Sequence, residues 1–165
     1  MTLASLFAAL LAICAWICIP VSDIGITLQT FGVFLALQLL GGKWGTVSIG
    51  IYLLLGAVGL PVFSGFRGGL GHLIGVTGGF LWGFLISGLV YWLLESFGRF
   101  PASLWGLAVC YGCGCLWFYA CTGGGLGFIL LRCVVPYLIP DLGKLWLAHS
   151  LSNRLRKVIN IPSRT

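Results

Sequence analysis

Apolar runs of membrane-spanning length recur along this chain, separated by short clusters rich in glycine, proline or charge. A helix that crosses a bilayer needs about 20 apolar residues, fewer if it is short or partly re-entrant. On that measure the runs predict helices over about 3–21, 25–40, 44–60, 75–95 and 102–121. The last membrane segment is the least regular. Residues 124–139 are apolar but broken by Arg132 and Pro136, and a helix is expected to begin near Pro140-Asp141 and run to about Lys157. The fold class expected is therefore all-α: an integral membrane six-helix bundle with a glycine-rich outer loop between helices 3 and 4. It forms one domain over residues 1–165. The first run lacks the positive flank of a signal peptide and is long enough to span, so it reads as an uncleaved helix.

Composition sharpens this picture. The chain is 59% hydrophobic and 7% charged, whereas a soluble domain carries roughly 25% charged residues. Too few polar side chains exist to cover a water-facing surface. The net charge of +6 does not point to nucleic acid, because the charges are sparse and sit at the ends of apolar runs. There they act as topology signals. With the N-terminus in the cytoplasm, Lys43, Arg99, Arg154, Arg156, Lys157 and Arg164 lie inside, against Arg67, Arg132 and Lys144 outside. Cytoplasmic N- and C-termini and a multi-pass location in the cell membrane follow.

Small residues recur at four-residue spacing, which lets helix backbones approach closely. Ala4, Ala8 and Ala12 form such a stripe on the first helix, facing either the bundle or a partner protein. Gly75, Gly79, Gly83 and Ser87 form one on the fourth, and Gly106, Cys110 and Gly114 one on the fifth. The seven cysteines mostly lie inside apolar runs and read as small packing residues. Cys113 and Cys115 have no histidine or carboxylate near them in sequence, and a helix points them apart, so no metal site and no cofactor are expected.

Residues 59–83 are glycine-rich and lie between two apolar runs. Irregular backbone at membrane depth is tolerated only where protein buries it or it lines a cavity, so this segment is a candidate lid. Asp141 and Lys144 sit one turn apart near the outer end of the last helix, and ionisable groups there are functional candidates by default. Gln29 can both donate and accept, toward a ligand or another helix. Arg67 either meets an anionic group or faces outer water. His72 reads as a solvated loop residue, Arg132 as a side chain reaching the outer surface, and Asp23 as a helix-end residue. Glu95 and Arg99 flank an inner loop where they can pair, and His149 reads as packing or inner interface. No carboxylate pair, Gly-x-Ser-x-Gly elbow or zinc-type histidine spacing is present. The glycines at 69–71 and 123–127 are not followed by Gly-Lys-Ser/Thr, so the chain has no phosphate loop. Any uphill transport must draw its energy from a partner.

Four stretches carry a resemblance that covers nearly the whole chain. They are Ile26-Thr27-Leu28-Gln29-Thr30-Phe31, Gly56-Ala57-Val58-Gly59-Leu60-Pro61-Val62-Phe63, Gly68-Gly69-Leu70-Gly71 with Thr77-Gly78-Gly79-Phe80, and Pro136-Tyr137-Leu138-Ile139-Pro140-Asp141-Leu142-Gly143-Lys144. In this order they resemble the BioY family, the biotin-specific substrate-binding (S) components of energy-coupling factor (ECF) transporters. The resemblance implies a six-helix bundle that binds biotin near its outer face under a lid. It implies docking of the Ala4, Ala8 and Ala12 stripe on a transmembrane coupling subunit, with two cytoplasmic ATPase subunits powering release. Val76 departs from the family's usual proline, Phe66 and Arg67 from a segment commonly small and glycine-rich, and Gly143 softens the turn between Asp141 and Lys144.

Biotin's chemistry suits these residues: a flat ureido ring with two N–H donors and one carbonyl, an apolar sulfur ring and an anionic tail. Asp141 is expected to accept a ureido N–H, with Lys144 and Gln29 completing the polar contacts. Phe63 and other lid groups would cover the ring, with Tyr111 a further aromatic contact. Arg67 is placed for the tail carboxylate. The competing readings are an S component for another small vitamin, a ligand-free structural or channel bundle, and a membrane enzyme, for which the sequence offers no catalytic constellation.

Overall fold

The computed structural model describes residues 2–19 and 25–159. Asp23 and Arg164 lie outside these residues. Helix α1 (Thr2–Trp16) leads into a two-stranded antiparallel ribbon, β1 (Cys18–Ile19) with β2 (Ile26–Thr27), in which Cys18 faces Thr27 and Ile19 faces Ile26. The first helix thus ends five residues before the expected 21. Ile19 precedes a proline, which disfavours the helical region for it.

Helix α2 (Gln29–Ala57) is two arms joined at Gly41, whose φ of 81° and ψ of 166° are non-helical. That region is open essentially to glycine alone. The arms fold back on each other, because a Cβ on Gly45 would lie 2.7 Å from the Leu37 Cα, and Gln29 bonds Tyr52 across the pair. They are the second and third helices predicted from the sequence. A loop and the short α3 (Leu70–Ile74) follow, then α4 (Gly78–Leu94), a 3-10 turn (Glu95–Phe97) and α5 (Arg99–Thr122). Helix α4 begins at Gly78 rather than 75, leaving Gly75 outside it.

The small-residue stripes of α4 and α5 meet. A Cβ on Gly79 would collide with Trp117, one on Gly114 with the Phe80 ring, and one on Gly83 would lie 3.0 Å from the Cys110 carbonyl oxygen. Ala4, Ala8 and Ala12 are buried as well, on the face of α1 that packs on α2, where Leu11 and Cys14 close on Gly32. The stripe is an internal seam in this conformation. The face α1 leaves exposed carries Leu3, Leu6 and Ile13.

The end of the chain corrects one boundary. Helix α6 (Leu126–Cys133) is followed by α7 (Val135–Ile159), which runs through Pro140 instead of starting there. Pro136 occupies the first turn of α7, where no intrahelical N–H bond is required.

Among the described residues, Gly78–Phe97 and Arg99–Thr122 are long and apolar enough to cross a membrane, and Thr2–Trp16 and Gln29–Leu40 are shorter apolar helices. Their outward faces carry Trp82, Ile86, Leu89 and Trp92 on α4 and Leu104, Trp105 and Leu116 on α5. Hydrocarbon, not water, accommodates such faces. At one end of the bundle a polar belt ties the helices together. Gln38 donates to Ser103 Oγ at 2.9 Å and contacts His149 Nδ1 at 3.0 Å, and Arg156 donates to the Gln38 and Leu39 carbonyls. Among the described residues Glu95 bonds the Gly42 N–H at 2.7 Å rather than Arg99. The opposite end holds the glycine-rich loop and the cavity described next.

Candidate functional site

One cavity of about 130 Å³ opens at the loop end, between the β2–α2 junction, the loop, α4, α5 and the α6–α7 segment. Its polar corner is built by α7. Spacing of four and then three residues places Tyr137, Asp141 and Lys144 on one helical face, and all three line the cavity. Asp141 is only 6% exposed. Its Oδ1 accepts from Lys144 Nζ at 2.8 Å and its Oδ2 from the Tyr111 hydroxyl at 2.8 Å. Lys144 also donates to the Thr27 carbonyl at 2.6 Å, which ties the short ribbon to α7.

This arrangement keeps hydrogen-bonding capacity in hand. An ammonium has three donors, and Thr27 and Asp141 take two of them. A carboxylate has about four acceptor positions, and Lys144 and Tyr111 occupy two. A buried charge is costly unless paired and hydrogen-bonded, and here both charges are. The corner can therefore accept from one ligand group and donate to another.

Gln29, the first residue of α2, lines the same cavity and donates to the Tyr52 hydroxyl at 2.9 Å. Arg67 is exposed on the loop and lines the cavity. Five of the six residues expected to bind substrate (Asp141, Lys144, Gln29, Arg67 and Tyr111) are thus brought to one cavity. Phe63 is placed differently. It is fully buried, packs edge-on to Tyr52 and face-on to His72, and leaves room only for hydrogen at Gly56. It supports the loop from one layer behind the cavity wall.

His72 departs from the expected solvated loop position. It is half-buried, stacks on Phe63 with ring centroids 5.4 Å apart, and lines the cavity. Burial, and then the neighbouring Arg67 charge, hold its imidazole below the ordinary value. Arg132 lies outside this cavity, with its guanidinium 5.3 Å from the Phe128 ring.

Several wall residues escape a reading of the sequence. Phe80 and Phe84 of α4 form an apolar floor with Leu81, while Thr30, Thr77 and Cys133 complete the wall. The i, i+4 spacing of Phe80 and Phe84, beside the glycine stripe, is a signal that could have found them. Tyr137 was legible only with α7 starting before Pro140. The loop is pinned over the cavity by its own backbone: Phe63 N–H donates to the Arg67 carbonyl at 2.9 Å, and Gly69 N–H to the Gly56 carbonyl at 2.7 Å.

An all-helical membrane bundle with a loop-covered cavity, an aromatic floor and a buried acid–amine pair defines a protein that holds a small polar-headed molecule among its own helices. Sequence comparison narrows the class: the chain belongs to the BioY family, which matches over residues 1–161. It is 42% identical over 165 residues to the biotin transporter BioY of Thermotoga maritima, with 94% of each chain covered. It is 40% identical over 155 residues to the probable biotin transporter BioY of Pyrococcus horikoshii, again with 94% of each covered. Its fold matches a solved S-component for biotin from an ECF-type ABC transporter with a TM-score of 0.86 and 28% identity, over 94% of this chain and 89% of that one.

Proposed function

We propose that this chain is the biotin-binding membrane subunit of an ECF-type transporter, a transport component rather than an enzyme. It takes biotin from the outer side and delivers it inward together with a membrane coupling subunit and two cytoplasmic ATPase subunits. The observation that carries the reading is the Asp141–Lys144–Tyr111 corner in a cavity that Phe80 and Phe84 also line. A ureido ring offers both N–H and carbonyl groups, which suits a carboxylate with spare lone pairs beside an ammonium with a spare donor. Asp141 accepts a ureido N–H, Lys144 donates to the ureido carbonyl, and Gln29 and Tyr111 hold the ring edge. Phe80 and Phe84 face the sulfur ring, and Arg67 meets the tail carboxylate. Membership of the family and the likeness to a biotin S-component support the choice of ligand.

Equilibrium binding of biotin to the detergent-purified chain tests this, with Asp141→Ala and Asp141→Asn beside the wild type. A hydrogen bond to a charged group is worth about 1.5–3 kcal/mol, so each variant should bind about ten- to a hundredfold more weakly. Near-wild-type affinity in a variant that melts as the wild type does would remove Asp141 from the site. A folded wild type that ignores biotin would overturn the ligand.

A further inference from the structure

Two aromatic side chains tie the loop to α1. Trp16, the last residue of α1, donates its indole N–H to the Pro61 carbonyl at 2.8 Å. The Phe66 ring stacks on Trp16 with centroids 5.0 Å apart and an interplanar angle of 23°. Phe66 stands at the tip of the loop, 62% exposed. Its φ of 57° is the one left-handed value at a non-glycine position among the described residues. That conformation is unfavourable for an L-residue with a bulky side chain. Little burial rewards the ring there, so the contact with Trp16 is what offsets the backbone.

The geometry gives this contact leverage. Phe66 lies between Ser64 and Arg67, and both line the cavity. Helix α1 is a fixed post, held on α2 through its buried alanine face. A tryptophan at a membrane interface ordinarily offers its N–H to headgroups or water, whereas Trp16 spends it on the loop's own backbone.

We propose that Trp16 and Phe66 form a latch that holds the loop closed, and that they act as positioning residues governing how long a ligand stays in the cavity. The dwell-time role rests on the biotin-binding reading above; the latch itself does not. Recognition stays with the polar corner, which neither aromatic touches.

The test uses the full-length chain in detergent with Trp16→Ala, Phe66→Ala, the double variant, and Trp16→Phe. Alanine at 66 keeps the Cβ and hence the backbone cost, so it removes the stacking alone. Trp16→Phe keeps a ring but removes the N–H, and guards against a fold defect in Trp16→Ala. Two quantities are read: hydrogen exchange across residues 60–69 without ligand, and the rate at which bound biotin leaves in a chase. Trp16→Ala, which loses both the stack and the hydrogen bond, should speed both by about tenfold, and Phe66→Ala, which loses the stack alone, by less. The double variant should match Trp16→Ala and not reach the product of the single effects, and Trp16→Phe should fall between wild type and Trp16→Ala. Unchanged exchange and release, or a double variant equal to the product, would overturn the latch. Faster, non-additive exchange in a wild-type background that binds no biotin would keep the latch and overturn the ligand. Biotin binding with unaltered exchange and release would do the reverse.

Discussion

A charged pair inside a membrane bundle is not a strong device for stability. Taking two charges out of water costs much of what their attraction returns, and removing one partner strands the other. Asp141 and Lys144 carry that cost at the cavity wall, which favours a role in binding over one in holding the fold. His72 is the residue there whose charge changes near neutral pH. Burial and Arg67 lower its pKa in the folded protein, so the unfolded chain takes up the proton first as pH falls. Stability from the neutral imidazole is therefore present above the ordinary value of about 6.5 and is lost as pH drops below it toward the lowered one. The ligand-free melting temperature should fall between pH 7.5 and pH 5, and His72→Gln should fall less. An equal fall in the variant would assign the pH dependence to other groups.

Among the elements, contact between α4 and α5 rests on absent side chains. Interiors are close-packed, and an added methyl where backbones touch forces shifts costing about 1–3 kcal/mol. Gly79→Ala, which sets a Cβ against Trp117, should lower thermal stability on that scale, and Gly112→Ala, which meets nothing within 4 Å, should not. Gly41→Ala should cost about as much for a different reason, because only glycine accommodates its backbone between the arms of α2. A melting series in one detergent separates the three. The glycine and alanine stripes were legible from spacing alone. Their partners were not: a stripe shows that a face packs closely, and α1 turned its stripe toward α2, where a docking surface had been one expectation. The helix boundary expected at Pro140 differs from the observed one for a related reason. Proline reads locally as a start, whereas α7, packed mainly on α2, continues through it.

Across the whole molecule, basic residues divide between two ends. Arg156 and Arg99 gather with Gln38, Ser103 and His149 at one end, and Arg67 and Lys144 stand with Thr27 at the other. By the positive-inside rule the first end is expected on the cytoplasmic side. This bundle has no phosphate loop in its sequence, so binding and net uptake should separate. In liposomes, the chain alone should bind external biotin without accumulating it, and ATP-dependent accumulation should appear when the coupling subunit and ATPases are added. Accumulation by the chain alone would place the driving force within the bundle.

Composition and periodicity by themselves determined the membrane class, the helical segments and the glycine-rich cover, and four sequence stretches carried the family resemblance, because these depend on local hydrophobicity and on residues close in sequence. They also singled out Asp141, Lys144, Gln29 and Arg67, since polar groups are rare enough in such a chain to be conspicuous. Tertiary structure alone decided what each of these faces. It brought Tyr111 to Asp141 and Lys144 to the Thr27 carbonyl, 117 residues away, moved Phe63 behind the wall, and set Phe66 on Trp16. Such pairings join side chains from different helices, and spacing along one chain cannot encode a distance that exists only after the helices have packed.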